Sequence, residues 1–442
     1  MNLTIMPRRT PDLGPGPHAS FHSQYQKTVL PNGIRIVTEE IPYVRSVSVG
    51  VWIDVGSRDE REETNGISHF LEHMVFKGTR RFTAQGIARS LESVGGYLNA
   101  FTTKEHTCFY ARILDSYLPK AIDVLSDLVL SPVFDPKEME KEKRVILEEL
   151  KNIEDDPDDL IHDYLDKSVY QHHPLGYPII GTAKNITHFS KTDLIRYTDA
   201  HYIPERLVIA AAGNLKHDEF VKLIDHSFRT RRRAAASPKR LKGPKRMKSR
   251  KEIFERPVTQ AHICLGTLGC GVKSRQRYPL LVLNSLLGEG MSSRLFQNIR
   301  EKYGFAYSVY SFANFMSDSG SFGIYIGTDG QKIDHSISLI HKELRRLRLQ
   351  PVGPAEIRRA KAQLKGSMML SLESMSNRMM RLGSGEILYG DYLSLDTILR
   401  GVDDVRQDDV SALARNLLKP DNFSTIIFKP GKATAASLAA VA

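Results

Sequence analysis

The chain is divided near its middle by a strongly basic stretch, and a similar order of predicted strands and helices occurs on both sides of it. Positions 229–251 hold twelve Lys or Arg residues and no Asp or Glu. The half before this stretch ends in the predicted strand Leu207–Gly213, and the half after it begins with the predicted strand Thr259–Thr267. Each half has about 200 residues, which is enough to bury a core of its own. We therefore predict two similar α+β domains, over residues 25–228 and 252–430, joined by a basic linker.

The basic stretch accounts for the net charge of the whole chain. The formal charge of +11 at pH 7 first suggests a protein that binds nucleic acid or an anionic membrane. Outside 229–251, however, 50 basic residues face 51 acidic ones, so the two halves together are nearly neutral. This distribution excludes a broadly basic nucleic-acid-binding fold, and we expect no nucleic-acid partner. We interpret the linker as a solvated, protease-sensitive tether.

The sequence also disfavours a membrane protein and a secreted protein. No apolar run approaches the roughly 18–20 residues that a membrane-spanning helix needs, so we expect no membrane partner. Residues 1–24 lack the apolar core of a secretory signal and are expected to form a disordered lead-in, as residues 431–442 form a flexible tail. The cysteines are few and scattered, without a CxxC pair: Cys108, Cys264 and Cys270. This use of cysteine is typical of a reducing compartment, and we predict a cytoplasmic protein.

One short segment carries residues suited to metal chemistry. His69 and His73 lie one helical turn apart, which puts their Cβ atoms roughly 6 Å from each other on one face. Glu72 precedes the second histidine, and the pattern HxxEH is the reverse of the HExxH zinc motif. Neutral imidazoles bind Zn²⁺, the metal lowers the pKa of a bound water toward roughly 7, and a nearby carboxylate takes its proton. The alternative is a polar stripe on the helix surface, and the motif alone does not decide between the two.

A third ligand can be sought on the long helix that is predicted to begin at Pro136. Its apolar seam is formed by Met139, Ile146, Leu150 and Ile153. Glu142 and Glu149 are two turns apart and lie at the edge of this seam. A buried carboxylate is costly unless a positive group compensates it, and that group could be a Lys, an Arg or a metal ion. Because HxxEH lies upstream, we predict that Glu149 is the third metal ligand.

This constellation resembles the pitrilysin/insulinase family of inverted-motif zinc peptidases. The similarity is greatest to the branch that contains the mitochondrial processing peptidase β subunit and its bacterial homologues. The resemblance implies that His69, His73 and Glu149 bind one Zn²⁺ per chain. It further implies that Glu72 is the general base acting on zinc-bound water, and that Glu142 lies close to the site and assists catalysis.

Two further parts of the sequence resemble substrate-binding elements of that family. Asn99, Ala100 and Phe101 match an edge strand that pairs with the substrate backbone near the zinc. An exposed edge offers N–H and C=O groups to any extended peptide. In the second half, Arg300 and Tyr307 match a pair that binds substrate and stabilises the oxyanion. The resemblance assigns both of them catalytic and substrate-binding roles.

The resemblance covers roughly residues 25–430 and implies a fold and an activity for the whole chain. The fold is α+β, with two similar domains, each a mixed β-sheet packed with helices, facing each other like a clamshell. The activity is that of a zinc metalloendopeptidase hydrolysing extended peptides or unfolded protein segments in an enclosed chamber. Longer members of the family close this chamber with four domains, so we expect a homodimer, or a heterodimer with a related subunit. The alternative is a non-catalytic scaffold subunit of the same fold, as found in the cores of respiratory complexes.

Overall fold

The computed structural model describes residues 24–229 and 239–431. The predicted lead-in 1–24 and tail 431–442 lie, apart from one residue each, outside the described part of the chain, as does the segment 230–238 of the linker. Among the described residues, no helix is both long and apolar enough to cross a lipid bilayer.

The first half of the chain forms a six-stranded mixed sheet. Its strands are β1 (Gln24–Val29), β2 (Arg35–Glu40), β3 (Ser46–Ile53), β4 (Tyr97–Thr102), β5 (Thr107–Leu114) and β6 (Leu207–Gly213). They lie in the order β1-β2-β6-β3-β5-β4. The β2–β6 pair is parallel and all other neighbours are antiparallel. β3 and β6 are the buried centre of this sheet, and β4 lies at its edge.

The second half repeats this arrangement with five strands. They are β7 (Lys251–Arg256), β8 (Ala261–Leu268), β9 (Ala306–Phe315), β10 (Gly320–Thr328) and β11 (Ser424–Pro430). Their order is β7-β11-β8-β10-β9, with β7 and β11 parallel. This is the order of the first sheet without β1, so β9 occupies the edge position that β4 occupies in the first half. The prediction of an α+β fold with two similar halves is confirmed.

Helices cover both sheets. Those of the first half are α1 (Ile67–Val75), α2 (Ala84–Glu92), α3 (Leu118–Leu130), α4 (Pro136–Asp155), α5 (Pro157–Tyr170), α6 (Ala183–His188), α7 (Lys191–His201) and α8 (His217–Ser227). Those of the second half are α9 (Arg277–Gly288), α10 (Ile333–Leu349), α11 (Pro354–Ser371), α12 (Met375–Tyr389), α13 (Leu395–Asp403) and α14 (Gln407–Leu417). The long helix α4 begins where the sequence predicts. Asp135 accepts hydrogen bonds from the N–H groups of Lys137 and Glu138, and Pro136 occupies the first turn.

One helix from each half packs against the sheet of the other half. One face of each sheet packs against helices of its own half and forms that half's main core. The opposite face of the first sheet is covered by α12 from the second half, through Met379 and Leu382. The opposite face of the second sheet is covered by α5 from the first half, through Leu160 and Leu165 among others. The two halves are therefore joined by reciprocal packing as well as by the linker.

Glycines allow these exchanged helices to approach the sheets closely. A Cβ added to Gly50 of β3 would lie 2.6 Å from Sδ of Met379, and one added to Gly266 of β8 would lie 2.6 Å from a methyl group of Leu165. β3 and β8 hold the same place in the two sheets. A side chain at either glycine would push the exchanged helix away from the sheet.

The described part of the linker is docked against the protein, so its interpretation as a solvated tether is wrong for the segment around Arg240. The guanidinium of Arg240 lies 2.9 Å from Asp54 and 2.7 Å from Asp59, and its side chain is largely buried. Burial opposes the charge of Arg240, but these two carboxylates and Glu105 raise its pKa. Charge counting missed this because it averages over the stretch, whereas a single Arg matched to a cluster of carboxylates is held in place.

Candidate metal centre

The two histidines of the HxxEH motif lie side by side on α1. The opposite face of this helix is buried in the core through Phe70, Leu71 and Met74. The remaining face presents His69 and His73 with ring centroids 4.8 Å apart. The spacing of one helical turn therefore produces the pair that the sequence predicts.

A buried carboxylate fixes the beginning of α1. Glu60 accepts hydrogen bonds from the N–H groups of Gly66 at 2.8 Å and Ser68 at 2.9 Å. These N–H groups belong to the first turn, where no helical partner is available to them, and the negative charge also suits the helix dipole. Burial raises the pKa of Glu60, and the hydrogen bonds oppose that rise. Glu60 thus holds the segment that precedes the histidines.

Glu149 of α4 completes the cluster. Its Oε1 lies 3.7 Å from Nε2 of His69, and its Oε2 lies 3.5 Å from Nε2 of His73. One donor atom from each of the three residues falls within 4.8 Å of the others, and the described residues contain no other such group. Glu148, next in sequence, points away and pairs with Lys151 at 2.6 Å on the exposed side of the helix. Glu149 rather than Glu148 therefore faces the histidines, and its role as a metal ligand stays a prediction.

The donor set fits a zinc ion. Two imidazole nitrogens and one carboxylate oxygen are the three protein ligands of a typical catalytic zinc site, which leaves a fourth position for water or substrate. Nδ1 of His73 lies 3.1 Å from Oε2 of Glu142, so this ring nitrogen has a partner and Nε2 is left for a metal. Nδ1 of His69 is buried and forms no hydrogen bond with the described residues.

Glu142 is held by two positive or polar partners. Its Oε1 lies 2.7 Å from Nζ of Lys77, and its Oε2 faces His73. Burial would raise the pKa of Glu142, but the hydrogen bonds from His73 and Lys77 lower it. Glu142 is therefore compensated by a salt bridge to a lysine, which is one of the possibilities for a carboxylate on this seam. Glu149 instead faces the two histidines.

The two imidazoles have opposite pKa shifts. Burial, with some repulsion from His73, lowers the pKa of His69 to about 4, so this ring is neutral and ready to bind a metal. Burial also disfavours a charge on His73, but hydrogen bonds to Glu142 and Glu149 raise its pKa to about 9. The same hydrogen bond to His73 is the main reason that the pKa of Glu149 is lowered. The carboxylates of Glu142 and Glu149 thus both stabilise a positive charge on His73.

Glu72 lies beside the cluster without joining it. Its Oε2 accepts a hydrogen bond of 2.5 Å from the hydroxyl of Thr102, at the end of β4. Burial raises the pKa of Glu72, and this hydrogen bond opposes the rise. A carboxylate with a raised pKa next to a metal-ligand cluster is well suited to accept and release a proton.

The predicted substrate-binding strand lies at the edge of the first sheet. β4 pairs with β5 on one side, and no strand among the described residues pairs with its other side. Asn99 is exposed, Ala100 is half-buried, and the ring of Phe101 packs edge-on against Trp52 at 5.6 Å. The edge position therefore agrees with the expectation, while a role in binding substrate stays a prediction.

Arg300 and Tyr307 are not brought to the cluster. Arg300 lies in a short helical segment, Phe296–Glu301, with its guanidinium 4.7 Å from the ring centre of Phe296. Tyr307 is on the edge strand β9 and is 74% exposed. No contact among the described residues joins either side chain to the histidines or to Glu149. Their roles in catalysis and substrate binding stay predictions.

Sequence reasoning missed three residues that support the site: Glu60, Lys77 and Thr102. Lys77 follows His73 by four residues, so helical spacing could have found it. Thr102 ends the run that includes the predicted substrate-binding strand, but only the fold shows that its hydroxyl reaches Glu72. No sequence pattern pointed to Glu60, because a short irregular segment separates it from the helix that it caps.

Two family profiles match most of the chain. The first, described as "Insulinase (Peptidase family M16)", matches residues 35–183 and includes all the residues of the cluster. The second, described as "Peptidase M16 inactive domain", matches residues 188–364, which include the predicted pair Arg300 and Tyr307.

Bacterial proteins are similar over nearly the whole chain. The "Uncharacterized zinc protease YmxG" of Bacillus subtilis is 43% identical over 403 residues, which cover 90% of this chain and 97% of that protein. A protein of Streptomyces coelicolor, also named an uncharacterized zinc protease, is 40% identical over 416 residues and covers 93% of this chain and 90% of its own length.

Solved structures share the fold. One, "The crystal structure of a protease from Helicobacter pylori", has a TM-score of 0.87 at 22% identity and covers 92% of this chain and 100% of its own. A structure of a peptidase M16 inactive domain from Pseudomonas fluorescens has a TM-score of 0.85 at 21% identity, covering 93% and 99%. The two solved structures support the two-sheet fold. The bacterial relatives, at 40% identity or more, show that the similarity also holds for the sequence. The chain belongs to the insulinase family of peptidases, peptidase family M16, as the motif and its distant glutamate predicted.

Proposed function

We propose that the protein is a zinc-dependent endopeptidase that hydrolyses extended peptides or unfolded protein segments. The observation that carries this proposal is the cluster itself. Two histidines on α1 and Glu149 on α4 point their donor atoms at one another, and Glu72 lies beside them on the same helix as the histidines. The names of the bacterial relatives as zinc proteases support the same conclusion.

His69, His73 and Glu149 would hold the metal. When bound, Zn²⁺ polarises a water molecule and the substrate carbonyl and lowers the pKa of that water toward roughly 7. Glu142 keeps His73 in the orientation that presents Nε2, and Lys77 keeps Glu142 ionised.

Glu72 acts as general base and then as general acid. Because its pKa is raised, the Glu72 carboxylate is a stronger base than an ordinary glutamate. It accepts a proton from the attacking water and returns it to the leaving amine. One of its oxygens is occupied by Thr102, and the other is left for this proton transfer.

The edge strand β4 supplies the substrate-binding surface. An extended peptide added to this edge hydrogen-bonds through its backbone, which any sequence provides, so cleavage depends little on side chains. Thr102, at the end of the same strand, touches Glu72, so a peptide that pairs with Asn99, Ala100 and Phe101 lies close to the general base. Alternate side chains of the bound peptide would set the remaining preference.

Arg300 and Tyr307 act from the second half of the chain in this proposal. Support comes from topology, since Tyr307 lies near the beginning of β9, the edge strand that corresponds to β4. Its exposure leaves the phenol free to bind a substrate carbonyl. Tyr307→Phe should lower kcat/KM without changing zinc content.

The replacement Glu72→Gln tests the central claim. We expect the variant to bind one zinc per chain, as the wild type does, and to lose peptide cleavage by a factor of about 10² or more, because only the proton-accepting oxygen pair is changed. Metal content is measured by atomic emission and cleavage with a mixed peptide library. Glu148→Gln, on the opposite side of α4, is the matched control and should cleave like the wild type.

A scaffold role remains the competing proposal. The profile for the second half is described as an inactive domain, and that half contributes no donor atom to the metal-ligand cluster. A wild-type protein that binds no zinc and cleaves none of the library would favour the scaffold over the peptidase.

An enclosed chamber requires a second molecule. The chain has two sheets, and the family resemblance associates closure with four such units, so we propose a homodimer, with a heterodimer of related subunits as the alternative. Both the metal ligands and the Arg300–Tyr307 pair are present in one chain, which favours the homodimer. A monomeric mass at micromolar concentration, measured by light scattering after gel filtration, would contradict it.

A further inference from the structure

The hydroxyl of Thr102 is the one hydrogen-bond partner of the Glu72 side chain among the described residues. Oγ1 of Thr102 donates to Oε2 of Glu72 at 2.5 Å, a distance typical of the charge-assisted hydrogen bond between a hydroxyl and a carboxylate. The other oxygen of Glu72 forms no hydrogen bond with those residues. One half of the carboxylate is therefore anchored and the other half is free.

The backbone fixes the position of Thr102 from both sides. Thr102 pairs with Thr107 across the β4–β5 hairpin, and the hydroxyl of Thr107 donates to the carbonyl of Val55 in the buried part of the sheet. The turn that follows is closed by Thr103, which donates to the carbonyl of His106 through both its N–H at 2.8 Å and its hydroxyl at 2.9 Å. Because threonine is branched at Cβ, its side chain also has few rotamers. A rigid strand end thus presents the hydroxyl to Glu72.

The surroundings of Glu72 show why it needs an anchor. His73, the adjacent residue, attracts its carboxylate, and Glu149 repels it. The imidazole of His73 already has two other carboxylate neighbours, Glu142 at 3.1 Å from Nδ1 and Glu149 at 3.5 Å from Nε2. A free glutamate side chain has three rotatable bonds, so without a partner on the β4 side nothing would hold this carboxylate at one place beside the cluster.

We propose that Thr102 is a positioning residue for the general base. By binding Oε2 of Glu72, its hydroxyl keeps this carboxylate apart from the metal ligands and turns Oε1 toward the position of the attacking water. The arrangement corresponds to other active sites in which a third group orients the base. This inference rests on the proposed peptidase function, because only a reaction that transfers a proton requires an oriented Glu72.

The test compares Thr102→Val, Thr102→Ser and Thr187→Val with the wild type and Glu72→Gln. Valine has nearly the shape of threonine without the hydroxyl, and serine keeps the hydroxyl. We expect Thr102→Val to lower kcat by about 10- to 100-fold with KM changed less than about twofold, and Thr102→Ser to restore kcat to within about threefold. The matched control is Thr187, an exposed residue of α6 whose hydroxyl donates to the carbonyls of Ala183 and Lys184. Thr187→Val loses a hydroxyl that does not contact Glu72 and should keep the wild-type kcat, with unchanged zinc content in all variants.

Crystal structures of the zinc-loaded variants give a readout that does not depend on activity. The carboxylate of Glu72 should occupy one position in the wild type and in Thr102→Ser, and should rotate or become disordered in Thr102→Val. An unmoved carboxylate in Thr102→Val, or a kcat within twofold of the wild type, would overturn the positioning role. If the wild type itself cleaves nothing while the carboxylate moves in Thr102→Val, the proposed function fails and the anchoring by Thr102 stands.

Discussion

At the scale of single residues, the centre is a set of charges that compensate one another. Glu142 would be costly on the buried seam of α4, but Lys77 and His73 both contact its carboxylate. Glu149 and Glu142 approach the same imidazole from its two nitrogens, which explains why its pKa rises although the ring is mostly buried. A divalent cation bound by the cluster would compensate the charge of Glu149, as a protonated His73 also does.

The metal-binding role of Glu149 predicts a difference between two neighbouring residues. Zinc at 100 times its dissociation constant should raise the free energy of unfolding of the wild type by about 2.7 kcal/mol, because it binds the folded state alone. Glu149→Gln should lose most of this stabilisation, whereas Glu148→Gln should keep it, since Glu148 pairs only with the exposed Lys151. Thermal unfolding with and without added zinc measures both. An equal shift in the two variants would show that the ion binds elsewhere.

The ligands could be predicted from sequence because helical spacing determines them. His69 and His73 are one turn apart on α1, and Glu142 and Glu149 are two turns apart on α4, so each pair shares a face whatever the rest of the fold does. The contact between Thr102 and Glu72 could not be predicted in this way. It joins a strand end to a helix, and only the docking of α1 near β4 brings the two together.

At the scale of elements, the exchanged helices α5 and α12 are the feature that periodicity alone does not reveal. The strand Leu207–Gly213 and the beginning of α4 at Pro136 agree with the sequence pattern. A hydrophobic stripe shows that a helix is packed, but it does not say which sheet receives it. The two halves therefore looked self-contained in sequence, whereas each one needs a helix from the other.

Gly383 provides a test of the close packing of α12. A Cβ at this position would lie 2.2 Å from Cε2 and Nε1 of Trp52, whereas a Cβ at Gly385 in the same helix would meet nothing within 4 Å. Gly383→Ala should therefore lower the free energy of unfolding by about 1–3 kcal/mol through overpacking. Gly385→Ala should leave it unchanged or raise it by about 0.5–1 kcal/mol, because alanine restricts the unfolded chain and favours the helix. Urea denaturation compares the two, and equal stability of both variants would contradict the packing described for α12.

At the scale of the whole molecule, a buried ion-pair network joins the two halves. Glu105, in the turn between β4 and β5, accepts hydrogen bonds from the N–H of Ser317 at 2.8 Å and from its hydroxyl at 2.6 Å, across to the β9–β10 turn. Arg58 is fully buried and bridges Glu105 at 2.5 Å and Asp318 at 2.6 Å. Arg240 from the linker also pairs with Glu105, at 3.8 Å, and with Asp59, at 2.7 Å. One arginine of the basic stretch thus holds the linker against the first half, beside the residues that join the halves.

Glu105 and Asp318 should differ in their contribution to this network. Glu105 is 3% exposed and Asp318 is 40% exposed, although both pair with Arg58. Glu105→Gln should lower the free energy of unfolding by about 3 kcal/mol, because it leaves a buried guanidinium with one carboxylate fewer. Asp318→Asn should cost less, about 1 kcal/mol, because the carboxylate of Asp318 is partly solvated and Arg58 keeps its buried partner Glu105.

Hydrogen exchange locates the effect of Glu105→Gln. The amide of Ser317, which donates to Glu105, should exchange faster in that variant than in the wild type, while amides in α4 should be unaffected. Equal losses of stability for Glu105→Gln and Asp318→Asn would mean that burial does not set the strength of these pairs.

The exchange of helices also has a consequence for synthesis on the ribosome. The face of the first sheet around Trp52 is complete once β6 has been made, but its cover, α12, ends only at Tyr389. At roughly 5–20 residues per second, this apolar face waits about ten to thirty-five seconds for its partner helix. The first half therefore finishes folding only after α12 has been made, and during that interval we expect its uncovered sheet to bind chaperones.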